Sequence, residues 1–207
     1  MSDFEFTNNW FEQSSRARWD LLFTELKIKR VLEVGAYEGA GTCYLINKLA
    51  KAGGGEIYTV DTWGGGKEHL KSGIDMSAVE GRFRQNISRA VTKAGPDVKL
   101  VTLKGPSDFM LSALVAQQKA GYFDFAYIDG SHMASDVLCD AVLGFKLLKI
   151  GGVIGFDDYG WMEQPPSVRN PLLSPKLAID SFINININKV TLLQSSPSQV
   201  YAQKASD

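Results

Sequence analysis

The stretch "VLEVGAYEGAGT", residues 31–42, decides how this chain folds. A β-branched apolar run stops at a glycine loop, and "TCYLINKLA" then continues with helical spacing. Gly35, Gly39 and Gly41 let the backbone turn sharply and let a ligand approach where a Cβ would collide. Their spacing, G-x-x-x-G-x-G, departs from the G-x-G-x-x-G fingerprint of dinucleotide sites, which argues against a pyrophosphate nest. Glu33 precedes the loop. Asp61 ends the next β-branched run, at the distance where an acidic residue meets ribose hydroxyls in doubly wound folds.

Outward from this loop, short β-branched runs alternate with segments of helical period, the pattern of a parallel sheet covered by helices. The strand candidates are "RVLEV", "EIYTV", "VKLVTL", "FDFAYI" and "GVIGF". Val79, Phe83, Ile87 and Val91 recur at every fourth position of the clearest helix, a face expected to pack on the sheet. Ser107 is expected to cap a helix through Leu111, Leu114 and Val115, and Val137, Ala141 and Leu148 to line another that stops at "KIGG". "KVTLLQ" and "QVYAQ", broken by "SSPS", suit a terminal hairpin. The expected fold is α/β and doubly wound, Rossmann-like: a seven-stranded, mostly parallel sheet with an antiparallel C-terminal edge and helices on both faces. One domain over 1–207 is expected, with 1–28 a helical extension carrying Trp19, Leu22, Phe23 and Leu26. Segments 62–75 and 159–176, rich in glycine or proline after strand ends, are expected to cover the active site.

The totals narrow the function. A net charge of -1 over 207 residues gives no general attraction for nucleic acid or an anionic membrane. The N-terminus lacks the basic and apolar regions of a secretion signal, and no apolar run is long enough to span a bilayer, so a cytoplasmic protein is expected. Cys43 and Cys139 read as buried free thiols, and the "NIS" at Asn86 as a chance match to a glycosylation acceptor.

A second constellation carries the chemistry. Asp129 ends the fourth strand candidate, and Asp157 with Asp158 ends the fifth. Adjacent parallel strands lie about 4.8 Å apart, so neighbouring strand ends would gather three carboxylates. Crowded carboxylates raise one another's pKa and call for a cation, and an all-oxygen set suits Mg²⁺ or a similar divalent ion. His132, three residues beyond Asp129, is placed to act as a general base. The alternative is that Asp129 before Gly130 is a turn residue and "DDY" caps a strand end.

The two glycine-loop stretches, "VLEVGAYEGAGT" and "YTVDTWGG", resemble the first motifs of class I S-adenosylmethionine-dependent methyltransferases, over essentially the whole chain. "YIDGSH", "LLKIGGVIGFDDY" and "FTNNWF" are similar to a branch of small-molecule O-methyltransferases that includes macrolide-sugar enzymes and cephalosporin-modifying relatives. The resemblance implies S-adenosylmethionine as cofactor, with Glu33, Gly35, Ala36 and Gly39 shaping the methionine pocket, Asp61 and Thr62 at the ribose, and Ser107 and Asp108 near the adenine. It implies Asp129 beside the cofactor, and Asp129, Asp157 and Asp158 as metal ligands with His132 as base. Some relatives carry Glu where this chain has Asp157. The partner is then a small hydroxylated molecule; Trp63, Tyr159 and Trp161 suggest an aromatic wall for it, and Lys67 and Arg169 a site for an acidic group. The N-terminal aromatic helix offers a contact surface for a homo-oligomer. A metal-independent methyltransferase, a cofactor-binding relative without methyl transfer and a nucleotide-dependent oxidoreductase stay open.

Overall fold

A computed structural model describes residues 4–163, 165, 167, 170–194 and 196–207. Arg169 lies outside the described residues. Strand β1 (Arg30–Val34) is followed by α3 (Ala40–Lys51), β2 (Gly55–Asp61), α4 (Lys67–Lys71), α5 (Met76–Ala94) and β3 (Val98–Lys104). Then come α6 (Ser107–Ala116), β4 (Phe123–Ile128), α7 (Ala134–Leu147), β5 (Leu148–Phe156), α8 (Pro175–Ile185), β6 (Val190–Leu193) and β7 (Val200–Lys204); α1 (Trp10–Ser14) and α2 (Arg16–Glu25) precede β1. The sheet order is β3-β2-β1-β4-β5-β7-β6. The first five strands are parallel, and β7 runs antiparallel to both β5 and β6.

The alternation of side chains along each strand builds a core on both faces. Leu32, Ala126, Ile154 and Phe156 pack with α6, α7 and α8, while Val31, Ile57, Phe125 and Val153 pack with α2, α3 and α5. All six residues of β4 are buried, as a central strand requires. Trp19 and Leu22 of α2 are fully buried, so this helix is part of the second core layer.

Three local expectations shift. Ser107 is the first helical residue of α6, and the N-cap is Pro106 at φ -58° and ψ 136°, which has no side-chain group to accept a capping hydrogen bond. Helix α7 stops at Leu147, and β5 begins at Leu148, with "KIGG" absorbed in an irregularity of its pairing to β4. The face of α5 divides: Val79 and Phe83 pack under Ala36 and Trp63, and Ile87 and Val91 against the α3 side of the sheet. Cys43 is buried and Cys139 half-buried, both as free thiols. Asn86 is completely buried, which removes its "NIS" from any glycosylation surface. Among the described residues no helix is long and apolar enough to cross a membrane.

Candidate active site

The C-terminal ends of β2, β1, β4 and β5 lie side by side, and the strand order reverses direction at β1, the switch point where open α/β sheets bind ligands. The glycine loop sits there. Gly35 (φ +88°) takes a left-handed turn directly against the strand end of β4: a Cβ on it would lie 1.8 Å from the Asp129 carbonyl oxygen. Asp61 holds the loop from the other side, its Oδ2 accepting the Ala36 and Tyr37 amides at 2.8 and 2.9 Å and its Oδ1 the Trp63 amide at 2.7 Å. Glu33 is buried beneath the loop, where one oxygen accepts the hydroxyls of Thr42 and Thr59 at 2.6 and 2.8 Å. Burial pushes its pKa up to about 7, with the two hydroxyls pulling the other way. Thr62 is exposed and accepts the Gly64 amide, Ser107 is half-buried at the start of α6, and Asp108 beside it is exposed.

Asp129, Asp157 and Asp158 meet at the ends of the adjacent strands β4 and β5. Asp129 is exposed at the end of β4, yet the protein packed around it limits the hydration of its carboxylate. That desolvation, with the charges of Asp157 and Asp158, pushes its pKa well above the carboxylate range. Asp157 is fully engaged: Tyr127 Oη donates to its Oδ2 at 2.6 Å, and Gln199 Nε2 and the Asp158 amide donate to its Oδ1 at 3.2 and 2.9 Å. Ser15, at the junction of α1 and α2, sits 2.8 Å from the Tyr127 hydroxyl and 3.4 Å from Asp157 Oδ2. Asp158 is a non-glycine residue at φ +56°, a strained backbone of the kind held only where surroundings over-determine it. Its Oδ2 pairs with His132 Nε2 at 2.8 Å. The imidazole stacks on Trp161 with ring centroids 3.9 Å apart, and its Nδ1 faces Glu68 Oε1 at 3.5 Å without hydrogen-bond geometry.

A family profile described as a methyltransferase domain matches residues 32–159, more than half of the chain, from Glu33 to Asp158 of the constellation above. This chain belongs to the methyltransferase-domain family. A caffeoyl-CoA O-methyltransferase of Populus kitakamiensis is 26% identical over 167 residues, 78% of this chain and 62% of that protein. One of Zea mays is 27% identical over 148 residues, 69% of this chain and 47% of its own. The chain thus spans roughly half to three-fifths of the length of these relatives. Among solved structures, the O-methyltransferase TomG of Streptomyces achromogenes in complex with S-adenosylmethionine superposes with a TM-score of 0.64 at 15% identity, covering 100% of this chain and 84% of that one. MycE methyltransferase, in complex with Mg, S-adenosylhomocysteine and mycinamycin VI, gives 0.57 at 20% identity over 97% of this chain and 50% of that one. At such identities the likeness is one of fold, and the fold is that of Rossmann-like methyltransferases.

Within that methyltransferase frame, the carboxylates suit a divalent cation in kind but not in arrangement. Among the described residues no three His, Cys, Asp or Glu side chains are placed to hold a metal ion. The reason is local: Asp157 is saturated by donors and Asp158 is turned to His132. Trp63, read as part of an aromatic wall, is instead buried against Phe83 and donates its indole N–H to the Tyr37 carbonyl. Tyr159 is tied to α8 through Asp180, and Lys67 is exposed. Sequence reading passed over Ser15, Glu68, Tyr127 and Gln199, and His69, in a polar loop, offered it no context for a role. His69 stacks on Tyr37, whose ring also meets Trp10 in a tilted contact. Of these, Tyr127 carried a signal: a tyrosine pointing to the same face as Glu33, two residues before Asp129, needs a polar partner when buried.

Proposed function

We propose that this protein transfers the methyl group of S-adenosylmethionine to a hydroxyl of a small molecule, with assistance from a divalent cation such as Mg²⁺. The observation that carries the reading is His132 just beyond the end of β4, held among Asp158, Trp161 and Glu68 close in sequence to Asp129. The cofactor would lie over the glycine loop, with Asp61, Thr62 and the buried Glu33 on one side and Ser107 and Asp108 on the other. It carries a sulfonium and no phosphate, so it needs close backbone approach and carboxylates, which this loop supplies. Segments 62–75 and 159–176 contribute Glu68 and Trp161 to the surroundings of His132 and would enclose the substrate.

In the tautomer that carries its hydrogen on Nδ1, facing Glu68, His132 would accept the substrate's proton at Nε2 once Asp158 has moved away. The oxygen then attacks the methyl carbon in line, and held geometry supplies much of the rate. Asp129, Asp157 and Asp158 would hold a divalent cation only once Asp158 turns from His132 and Asp157 gives up part of its hydrogen bonding, and the cation would then supply charge stabilisation for the deprotonated oxygen. The raised pKa of Asp129 supports that part of the proposal, since neighbouring negative charge is what a cation relieves. The single domain, the lack of charge suited to nucleic acid and the hydroxylated small-molecule partner belong to the same proposal, and they are supported by the relatives' names and the net charge of -1.

Incubation with labelled S-adenosylmethionine and a panel of hydroxylated compounds, with Mg²⁺ or with EDTA, tests the reading. Label transfer that EDTA abolishes and that Asp158→Asn no longer gains from Mg²⁺ is the expected outcome. Undiminished turnover in EDTA rejects the metal and leaves His132 acting alone; bound cofactor without transfer to any compound rejects the methyltransferase.

A further inference from the structure

The N-terminal segment ahead of α1 crosses the glycine loop and is bonded to it through buried polar groups. Glu38, within the loop and 2% exposed, accepts the Thr7 amide and the Thr7 hydroxyl at 2.7 Å each, one on each carboxylate oxygen. Arg82 of α5 donates its Nε to the same carboxylate at 2.5 Å. Asn86, one turn further along α5 and 0% exposed, accepts the Glu5 amide at 2.8 Å and donates to the Glu5 and Glu38 carbonyls at 2.9 and 3.0 Å. Its amide group therefore serves the backbone of the N-terminal segment and of the loop at once.

The loop needs such holding. Tyr37, next to Glu38, sits at φ +49°, a left-handed conformation that is strained for a residue with a side chain and persists only under outside constraint. On its N-terminal side the constraint is Asp61, through the Ala36 and Tyr37 amides. On its C-terminal side it is Glu38, whose partners are Arg82 and Asn86 of α5 and Thr7 of the N-terminal segment. The same backbone is the surface on which the cofactor would rest.

We propose that Thr7, Arg82 and Asn86 are positioning residues for cofactor binding, acting through Glu38 to keep the glycine loop in its binding shape. The inference rests on the reading that this chain binds S-adenosylmethionine. If the loop relaxes out of that shape for most of the time, the apparent affinity falls by the fraction of molecules that remain competent.

Calorimetric titration of the full chain with S-adenosylhomocysteine provides the test. Because Asn86 is buried and its replacement endangers folding, the variants are Thr7→Val and Arg82→Gln, singly and together, with Thr7→Ser as the conservative control. The double variant should bind about tenfold more weakly while its melting temperature stays near that of the wild type, and the amides of residues 35–39 should exchange with solvent faster. Thr7→Ser in the Arg82→Gln background should recover most of the loss. A double variant that binds within about twofold of the wild type overturns the proposal. A merely structural role would lower the melting temperature and leave the affinity intact, and that outcome overturns it equally. Failure of the wild type to bind the ligand instead overturns the cofactor reading itself.

Discussion

The two ends of the candidate site are built differently. At the cofactor end, the loop of residues 35–39 is pinned by Asp61, Asn86 and Trp63, so its backbone is set before any ligand arrives. At the reaction end, the acidic groups are occupied with other side chains: Asp158 with His132, and Asp157 with Tyr127 and Gln199. A backbone cradle can be rigid because its groups bond to the fold and still face the ligand. A carboxylate has about four acceptor positions, so each hydrogen bond made to the protein leaves one fewer for a cation or substrate.

The sharpest way to break the contrast is at Gly35, where the two ends touch. Gly35→Ala would put a Cβ into the Asp129 carbonyl and require a left-handed alanine, which should cost on the order of 4 kcal/mol in urea unfolding and abolish cofactor binding. If the two ends were independent, binding alone would suffer and stability would hold. His132→Asn isolates the reaction end: turnover should drop by about 10²–10⁴ with S-adenosylhomocysteine affinity unchanged, and a loss under fivefold would remove His132 as the base.

Glu33→Gln probes the cofactor end through pH. Burial raises this carboxyl from 4.5 to about 7, so the native state keeps a proton that the unfolded chain releases. That contribution to stability is full below 4.5, is lost as the pH rises towards 7, and is absent above it. The glutamine variant should therefore gain on the wild type across this window, by on the order of 3 kcal/mol at its upper end, in parallel thermal melts. A constant difference between the two proteins across the window would show that Glu33 titrates normally. A gain in stability paired with weaker cofactor binding would show that the buried charge is kept for the ligand.

How far the sequence could be read follows the same division. Strands "RVLEV" and "FDFAYI" match β1 and β4 residue for residue, because both are short runs rich in β-branched, leucine or aromatic residues that stop at a turn. The start of β5 was less legible: Leu148, Lys149 and Ile150 carry the tail of a helical pattern, and pairing with Phe123 turns them into strand. Trp63 looked like a substrate wall because it follows a strand end beside glycines. Only the packing of α5 under the loop shows that its ring is core.

What the amino-acid sequence determined by itself was the alternation of strand and helix, the glycine turn after β1 and the acidic ends of β2, β4 and β5. These are local: each depends on neighbours a few residues away, through periodicity and backbone freedom. Tertiary structure alone decided that Ser15 and Gln199 would meet Tyr127 beside Asp157, and that Thr7 would meet Glu38. A lone serine, glutamine or threonine has no periodic signature. Its partner is chosen by where the sheet order brings distant segments together, and a buried carboxylate must then take whichever donors arrive.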